Sequence, residues 1–571
     1  MAKKKDENKL SYLQMPLPSG RKTYKMTKRS WCGLNYRQTI DSGALSMEKN
    51  ISTLEAPYLV PSQSHPTIDY ANDYDNAIGI FGFDDILLVI YRDSDLLKVD
   101  YLIWNEEYYG YDTYTGILKE GADEDDEYPR CVVQFNHYEE SDDIVNGTYK
   151  KRLLIFPDKV SMFFELDDLL NDENNAPNVD FTLYPMDVTI KKYTNKKAPY
   201  LPPVSADQDC YYQNTHACEE TNDGTAIYQY CQYEEDGELK YGWKITVPPS
   251  FPNIKYATVH LSRLFGVSDD AVYASGFNDY SNWNLDSVAS YNESNAWCSK
   301  AQSNTKADGN FTGITNFQGH VVCFKHDFMH EIYNTKNPFR INDVYAEGAI
   351  DNRTIQDVDG KLIFVSEDNV KIYTGANPRI IGNNLNMPKY EHAVSGTDGR
   401  CYYLYCKDSR RDVKRHRLFV YDTYTDCWSE QDIDAEIVGF AHTKRGMFYL
   451  CKDSSGHIRQ LDAGGYPISW SFETDLITNE TVSIKHIKKI QMLADIGASA
   501  GIKVYMLYDD EVFNKDTSHL VYESTTSGLT PIRVKPRQTA NYGIKLHVEG
   551  KYYVKLYEME LFIESGGELY A

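Results

Sequence analysis

Four side chains of the kinds that bind zinc lie close together in the middle of the chain. They fall within 22 residues and are Cys210, His216, Cys218 and Cys231. Thiolates and imidazoles suit zinc, but a structural zinc site usually shows two short pairs, each with about two to four residues between its members. Only His216 and Cys218 form such a tight pair here. The spacing therefore favours reduced, uncoordinated side chains over a zinc site.

A histidine pair and two acidic groups are the remaining metal-type candidates. Three residues separate His326 from His330, and on one strand their rings would lie about 13 Å from each other, too far to share an ion. The acidic run 123–127 and the set Asp69, Asp73 and Asp75 offer oxygen ligands for Ca²⁺. Neither has the spacing of an EF-hand loop. We therefore predict no metal site and no cofactor.

The catalytic motifs considered next are absent or incomplete in the sequence. The sequence has neither a phosphate-binding Gly-Lys-Ser/Thr loop nor a His-Glu-x-x-His zinc motif. The segment Ser366-Glu-Asp-Asn-Val370 approaches the Asp-box of sialidases but has Val370 where that motif has glycine. We predict no catalytic residues and a protein that is not an enzyme.

Length, hydropathy and charge limit the classes of protein. A chain of 571 residues is too long for one ordinary core, which predicts several domains or a body built from repeats. The longest strongly apolar run, Ile86–Tyr91, is far shorter than the roughly 20 residues of a membrane span. The net charge of −25 opposes binding of nucleic acid as a main function, because such a surface repels phosphates.

The N-terminus and the cysteines add two further indications. Residues 1–30 contain nine Lys or Arg and two acidic residues, so this arm carries 9 − 2 = +7. It is either a docking arm for an acidic neighbour or a solvated tail. The eleven cysteines are scattered and odd in number, which predicts reduced thiols and assembly in a cytosol.

Short runs of β-branched and aromatic residues predict an all-β chain. Runs such as Ile86–Tyr91, Leu153–Phe156 and Leu418–Tyr421 are bounded by Gly, Asn or Asp, as strands between tight turns are. Ser161–Asn171 is the clearest helix candidate.

A repeat organises these strands. Four strands follow a glycine plus one residue, at intervals of 41, 39 and 47 residues, and are expected to open successive units; the glycines are Gly319, Gly360, Gly399 and Gly446. A period of about 40–50 residues with three or four strands is typical of β-propeller blades, because one small sheet cannot bury both faces alone. The segment Val420–Trp428 resembles the strand–turn–strand pattern of Kelch blades. Roughly six to eight blades fit residues 75–470.

The pattern changes after Trp470. Longer stretches alternate polar and apolar residues, for example Ile502–Tyr508 and Tyr553–Phe562, as expected for an antiparallel sandwich with one wet face per sheet. We therefore predict three domains: a basic arm and opening segment (1–74), a β-propeller (75–470) and a C-terminal antiparallel β-sandwich (471–571).

Several segments resemble one family in the same order along nearly the whole chain. The opening segments are Trp31–Arg37, Asp41–Ser52 and Ala56–Pro61; the central ones are Arg263–Gly266, Val272–Ser275 with Trp283, Val321–Asp327 and Phe364–Gly375. Together they resemble the propeller-based tail nozzle or tail stabilisation proteins of short-tailed phages, also called tubular protein B.

This resemblance implies a structural virion protein in the tail, made and assembled in the host cytoplasm. Such proteins form a homo-oligomeric ring, usually of six copies, below the portal and adaptor. The ring lets the genome out during ejection and holds fibres or other tail-tip proteins. An acidic lumen would then keep the DNA from adhering. Two alternatives remain: a carbohydrate-binding tail fibre or receptor-binding protein, and a Kelch-like interaction module in a cell.

Overall fold

The computed structural model describes most of the chain. The described residues are 12–15, 24–29, 31–37, 39–40, 42–68, 74, 76–106, 109–121, 129–139, 148–163, 183–185, 190–194, 210–214, 226–235, 238–247, 251–283, 296–299, 309–344, 347–408, 415–452, 456–464, 468–478, 485–536 and 542–565. The chain divides into two compact units. Unit 1 comprises residues 1–91, 101–113 and 349–571, and unit 2 comprises residues 92–100 and 114–348.

Among the described residues, five short strands precede the repeated part of the chain. They are β1 (Tyr12–Met15), β2 (Tyr24–Arg29), β3 (Leu45–Lys49), β4 (Ile51–Ser52) and β5 (Val60–Pro61). Strands β4 and β5 pair with each other in antiparallel orientation.

In the part of the chain that the structure describes, eight small antiparallel sheets follow, which we call blade sheets 1 to 8. Blade sheet 1 contains β6 (Ala77–Phe83), β7 (Ile86–Asp93), β8 (Leu96–Asn105) and β9 (Gly110–Glu120), and blade sheet 2 contains β10 (Cys131–Glu139), β11 (Thr148–Phe156), β12 (Val160–Phe163) and β13 (Leu183–Pro185). Blade sheet 3 contains β14 (Ile190–Thr194), β15 (Cys210–Asn214), β16 (Ala226–Glu235) and β17 (Glu238–Val247), and blade sheet 4 contains β18 (Tyr256–His260), β19 (Arg263–Val267), β20 (Val272–Ala274) and β21 (Trp297–Cys298).

Blade sheets 5 to 8 continue the series. Blade sheet 5 contains β22 (Phe311–Phe317), β23 (His320–Lys325), β24 (Met329–Tyr333) and β25 (Arg340–Val344), and blade sheet 6 contains β26 (Gln356–Val358), β27 (Lys361–Val365), β28 (Val370–Tyr373) and β29 (Arg379–Ile380). Blade sheet 7 contains β30 (Glu391–Thr397), β31 (Cys401–Asp408), β32 (Arg415–Asp422) and β33 (Cys427–Gln431), and blade sheet 8 contains β34 (Glu436–Thr443), β35 (Gly446–Lys452) and β36 (Ile458–Gln460). Two short 3-10 turns, Asn352–Thr354 and Gly382–Leu385, flank blade sheet 6.

The last seven of the described strands form a sandwich with the first three. They are β37 (Ser469–Thr474), β38 (Lys485–Ile496), β39 (Gly501–Tyr508), β40 (His519–Ser524), β41 (Gly528–Val534), β42 (Ile544–Lys551) and β43 (Val554–Ser565). One five-stranded sheet has the order β1-β2-β43-β38-β41 and the other β3-β37-β42-β39-β40. The prediction of an all-β fold with propeller blades and a C-terminal sandwich is confirmed.

The glycines that mark the repeat lie in hairpin turns. Gly319, Gly360, Gly399 and Gly446 all have positive φ values, between 68° and 123°. Gly319, Gly360 and Gly399 precede β23, β27 and β31, the second strands of their sheets, and Gly446 is the first residue of the second strand β35. The prediction that these strands open their units was wrong, because the glycine supplies the left-handed conformation of the turn between the first and second strands.

One blade sheet differs from the others in unit 2. Seven of the eight sheets follow the simple order of their strands along the chain, but blade sheet 3 has the order β14-β17-β16-β15. Blade sheet 2 packs directly on blade sheet 4 through a buried cluster that includes Phe135, Phe156, Ile254 and Leu264. Blade sheet 3 is therefore an insertion between two sheets that pack on each other.

In unit 1 the blade sheets pack in sequence order. One apolar cluster joins blade sheets 6 and 7, a second joins 7 and 8, and a third joins 8 and 1. Fully buried tyrosines add hydrogen bonds to this packing: the hydroxyl of Tyr402 donates to the carbonyl of Thr354 at 2.8 Å. Burial of each large apolar side chain contributes about 1.5–3 kcal/mol, so these clusters hold the sheets face to face.

The helix candidate Ser161–Asn171 is corrected at its start. Its first three residues lie in β12, which pairs with both β11 and β13, and residues 164–171 lie outside the described residues. The β-branched and aromatic residues around Val160 favour pairing within the sheet over a helical turn.

Candidate functional site: the N-terminal segment and a buried carboxyl pair

The first motif of the sequence lies between the sandwich and the last blade sheets of unit 1. We call residues 31–52 the N-terminal segment. Trp31 belongs to the sandwich core, where its ring meets Phe472 edge-on at 5.5 Å. Leu34, three residues later, is fully buried in the cluster between blade sheets 6 and 7. Neighbouring side chains of one motif are thus buried in two different cores.

Backbone hydrogen bonds fix this segment on blade sheet 7. The amide of Leu34 donates to the carbonyl of Trp428 at 2.8 Å, and the amide of Asn50 donates to the carbonyl of Glu430 at 2.8 Å. Gly33, between the two cores, has φ +72°. A Cβ at this position would lie 2.8 Å from the Trp428 carbonyl oxygen. Only glycine fits this approach without a shift of β33.

Asn50 connects the same two parts through its side chain. Its Nδ2 donates to the carbonyl of Ser469 at 2.9 Å, and its Oδ1 accepts from the amide of Asp432 at 2.6 Å. The residue has φ 55°, a left-handed conformation that asparagine tolerates better than most residues. Asn50 therefore connects the first residue of β37, in the sandwich, to the residue that follows β33 in blade sheet 7.

A buried ionic network lies under the segment. Glu430 of β33 accepts from Arg417 at 3.0 Å and from the hydroxyl of Tyr36, and Arg415 lies 3.6 Å from its other oxygen. Arg417 also contacts Asp408 at 3.1 Å. Burial raises the pKa of Glu430, and the charge of Arg417 opposes that rise. The two arginines provide the partners that a buried carboxylate requires.

Glu48, in β3, has no such partners. It is fully buried, and neither carboxyl oxygen has a hydrogen-bond partner among the described residues. Burial first, and then the nearby charge of Glu430, raise its pKa well above the ordinary value. A bulge between Leu45 and Met47 turns Leu45 and Glu48 to the buried side of this strand. Bulges commonly re-aim side chains in this way.

A second cluster of titratable groups is buried in unit 2, between blade sheets 4 and 5. Nε2 of His320 lies 3.5 Å from Glu331, and the hydroxyl of Tyr333 donates to Glu331 at 2.6 Å. Nδ1 of His260 lies 3.0 Å from the side-chain oxygen of Asn316. Burial lowers the pKa of His260 and, with the Glu331 hydrogen bond, raises that of Tyr333 to about 12. All of these side chains except Tyr333 and Asn316 are nearly inaccessible to solvent. This burial favours a role in packing over a role in substrate binding.

The central motif also serves the packing of unit 2. Arg263 is buried and donates to the carbonyl of Ser275 at 2.6 Å. The hydroxyl of Ser275 accepts from the amide of Leu264 at 2.9 Å. Trp283 packs edge-on against Phe251 at 5.0 Å. These contacts join β19 to the segment after β20, and they join Trp283 to the segment before β18.

The metal-type candidates are not assembled into a site among the described residues. His326 is exposed in the turn after β23, whereas His330 is buried in β24 beside Phe311 and Phe328. Within the described parts of the chain, no group of three or more His, Cys, Asp or Glu could hold a metal ion.

Other candidates fall partly outside the structural description. Cys210 and Cys231 lie in strands β15 and β16, of which the backbone is described. His216, Cys218, the run 123–127 and the acids Asp69, Asp73 and Asp75 lie outside the described residues. Eight cysteines, among those that are described, are free thiols.

The Asp-box-like segment forms a self-contained turn. The hydroxyl of Ser366 donates to Asp368 at 2.6 Å, and its amide donates to the carbonyl of Asn369 at 2.8 Å. Ser268 makes the same kind of turn with Asp270 and Ala271 between β19 and β20. The serine and aspartate thus close the turn between the second and third strands of a blade sheet.

The chain also contains one Gly-x-Ser-x-Gly pattern, Gly497-Ala-Ser-Ala-Gly501, between β38 and β39. Ser499 has φ 63° and borders a groove of about 600 Å³. The basic groups on this groove are lysines, and a Ser–Lys dyad needs a lysine of lowered pKa. Lys503 instead pairs with Glu523 at 3.2 Å, which raises its pKa. The pattern therefore forms a tight turn between two strands, unlike the strand–turn–helix of hydrolases.

A second groove, of about 450 Å³, lies on the sandwich. The rings of Tyr58 and Tyr557 meet edge-on at 4.8 Å on its wall, and Nζ of Lys555 lies 4.2 Å from the centre of the Tyr58 ring. Gln491 and Glu560 add polar groups. Aromatic rings beside amide and carboxyl groups can orient a polar ligand.

No protein-family model and no curated protein matches the chain. Among solved structures, an exo-β-1,3-galactanase from Phanerochaete chrysosporium with galactose is 10% identical, over 52% of this chain and 92% of that one, with a TM-score of 0.19. The extracellular domain of a one-component system from B. thetaiotaomicron is 7% identical, over 94% and 96%, also with a TM-score of 0.19. At these TM-scores neither likeness bears on function. None of the described helical segments is long and apolar enough to cross a membrane.

Proposed function

We propose that the chain is a structural protein of a bacteriophage virion. In this proposal, copies of the chain form a ring at the distal end of the tail, six copies being favoured. The ring joins the portal-side adaptor to fibres or other tail-tip proteins, and DNA passes through it during ejection.

One observation supports this proposal above the others. The residues that carry the resemblance to tail nozzle proteins are used inside the fold: Trp31 and Leu34 in two cores, Asn50 between the sandwich and blade sheet 7. Arg263 in unit 2 is likewise buried and hydrogen-bonded. Such use favours a motif that preserves architecture over one that performs chemistry. The net charge of −25 also suits a wall along which DNA slides.

Imaging of the purified full chain tests the ring directly. Mass photometry and negative-stain electron microscopy should show six-fold rings with a central opening. A stable trimer would instead indicate a fibre, and a monomer at all concentrations would contradict self-assembly. In phage particles that contain the chain, a gold-labelled antibody should mark the tail tip, and labelling of the capsid alone would exclude a tail protein.

The groove beside Tyr58 favours glycan binding as a second candidate function. A glycan array would test it with wild-type chain, Tyr58→Ala and the control Tyr542→Ala, whose side chain is 59% exposed and does not line this groove. A glycan signal that Tyr58→Ala loses and Tyr542→Ala keeps would support a receptor-binding protein. No signal for the wild type would exclude this second function for the glycans on the array.

A further inference from the structure

The fold encloses a carboxyl group that it does not neutralise. Glu48 is 0% exposed, and the described residues offer its two oxygens neither a cation nor a hydrogen-bond donor. An ionised carboxylate in such a place loses its hydration without compensation. The protonated form avoids this cost, because it carries no charge.

A second buried carboxylate lies beside it. Glu430 is 2% exposed and belongs to β33, and its carbonyl accepts from Asn50, two residues after Glu48. Arg417 and Arg415 contact Glu430, so of the two carboxyls Glu430 is the one that holds a negative charge. This charge faces Glu48 and further disfavours ionisation there.

The other titratable groups near the pair do not change this assignment. From β3 itself, Lys49 binds Asp432 at 3.2 Å. On the neighbouring β37, Glu473 binds His547 at 3.1 Å. The remaining groups are Tyr36 on the N-terminal segment, Asp408 bound to Arg417, and the thiols Cys32 and Cys427, of which Cys427 donates to the carbonyl of Cys32 at 3.2 Å.

We propose that Glu48 and Glu430 form a proton-dependent latch that holds the N-terminal segment on blade sheet 7. At neutral pH Glu48 keeps its proton and the segment is closed on β33. At alkaline pH the O–H bond of Glu48 breaks, hydroxide takes the proton to form water, and the carboxylate keeps the electron pair. Two adjacent buried negative charges then push β3 away from β33. The latch is a property of the single chain and does not depend on ring formation.

The direction of the pH effect follows from proton binding. The folded chain keeps a proton on Glu48 at pH values where the unfolded chain, with an ordinary glutamate pKa of about 4.3, has lost it. Folding therefore takes up a proton, and stability falls as pH rises above this value. The loss continues up to the raised pKa of the folded state and then levels off.

Hydrogen exchange of the N-terminal segment tests the latch. The amides of Leu34, Leu45 and Asn50 are bonded in the closed state, so peptides covering residues 31–52 report its opening. The rates, divided by the intrinsic exchange rate at each pH, should rise in the wild type above the ordinary glutamate pKa of about 4.3 and level off at the raised folded pKa. Below that folded pKa the rise should approach tenfold per pH unit.

Two variants separate the latch from general effects of pH. Glu48→Gln has an uncharged side chain of similar size, and its corrected rates should stay flat. Asp432→Asn removes an exposed carboxylate next to the same segment and should keep the wild-type rise. Wild-type and Glu48→Gln profiles that coincide within about twofold would overturn the latch, since the factor per pH unit is tenfold.

If Glu48→Gln does not fold, infrared spectroscopy of the wild type tests the latch instead, because it detects the protonated carboxyl group directly. The wild type should show a protonated carboxyl band at neutral pH, and the band should disappear around the pH at which the rise in exchange levels off. Absence of the band at neutral pH would overturn the proposal. Loss of the band without faster exchange would also overturn it.

Discussion

Arg417 is expected to contribute strongly to the stability of unit 1, because both of its acidic partners are buried. It contacts both Glu430 and Asp408, and these three side chains are at most 10% exposed. We expect Arg417→Met to lower the free energy of unfolding of unit 1 by about 3–5 kcal/mol, because it removes the buried cation that contacts two buried carboxylates. Arg379→Met is the matched control. Arg379 contacts Asp426 at the surface, where both side chains are more than half exposed.

The control should cost less than about 1 kcal/mol, since water screens such a pair. Urea unfolding curves of both variants, followed by tryptophan fluorescence, measure the difference. Equal shifts of the two midpoints would show that the buried network does not stabilise the chain more than a surface pair does.

Asp422 gives the opposite pH effect to Glu48. Burial favours its neutral form, but hydrogen bonds from Arg400 and from the amide of Tyr424, together with the charge of Arg400, outweigh burial and lower its pKa. Its contribution is therefore present above the ordinary pKa of about 3.9 and is lost as pH falls through the folded value. Between about pH 5 and pH 2, Asp422→Asn should lose less of its melting temperature than the wild type does. The exposed Asp432→Asn should behave like the wild type, and identical acid profiles for all three chains would refute this role.

The burial of Glu48 was not predictable from the sequence. Alternation in Leu45–Lys49 indicates a strand, but alternation assumes an unbroken register. The bulge between Leu45 and Met47 shifts the register against β37, and an acidic residue becomes part of the interior. Nothing in a single sequence marks such a bulge, so the candidate site was missed although its motif was recognised.

At the level of elements, Gly33 and Gly360 form a matched pair. Their φ values are +72° and +68°, so alanine costs about the same backbone strain at both, about 1–2 kcal/mol. A Cβ on Gly360 meets open space, whereas one on Gly33 meets the carbonyl of Trp428 at 2.8 Å and Cβ of Cys427 at 2.9 Å. We therefore expect Gly33→Ala to be clearly less stable than Gly360→Ala.

The same pair reports whether the N-terminal segment is held to β33. In Gly33→Ala the exchange of amides in residues 31–52 should accelerate, while in Gly360→Ala it should match the wild type. Thermal unfolding and hydrogen exchange measure the two effects. Equal destabilisation of both variants would mean that the segment lies less tightly on β33 than the 2.8 Å bond from Leu34 indicates.

Local patterns were informative for elements, and non-local pairings were not. The glycines at 319, 360, 399 and 446 predicted the repeat because turn chemistry is encoded within a few residues. The pairing of β3 with β37, in which Leu45 lies opposite Thr474, joins residues more than 400 positions apart. Likewise β2 pairs with β43. No property of either strand alone specifies its partner, so the N-terminal strands were predicted as an arm and not as members of the sandwich.

At the level of the whole molecule, charge decides whether the chain can serve as a conduit for DNA. Each contact between a phosphate and Lys or Arg releases counterions and adds affinity that depends on salt. With a net charge of −25, the full chain should show no saturable binding of a fluorescent DNA duplex by anisotropy at about 0.15 M salt. Any binding at lower salt should come from the basic residues 1–30 and should disappear in the triple variant Lys3→Glu, Lys4→Glu, Lys5→Glu. Micromolar binding at physiological salt would mean that the protein holds DNA instead of letting it slide, and the proposed role in ejection would fail.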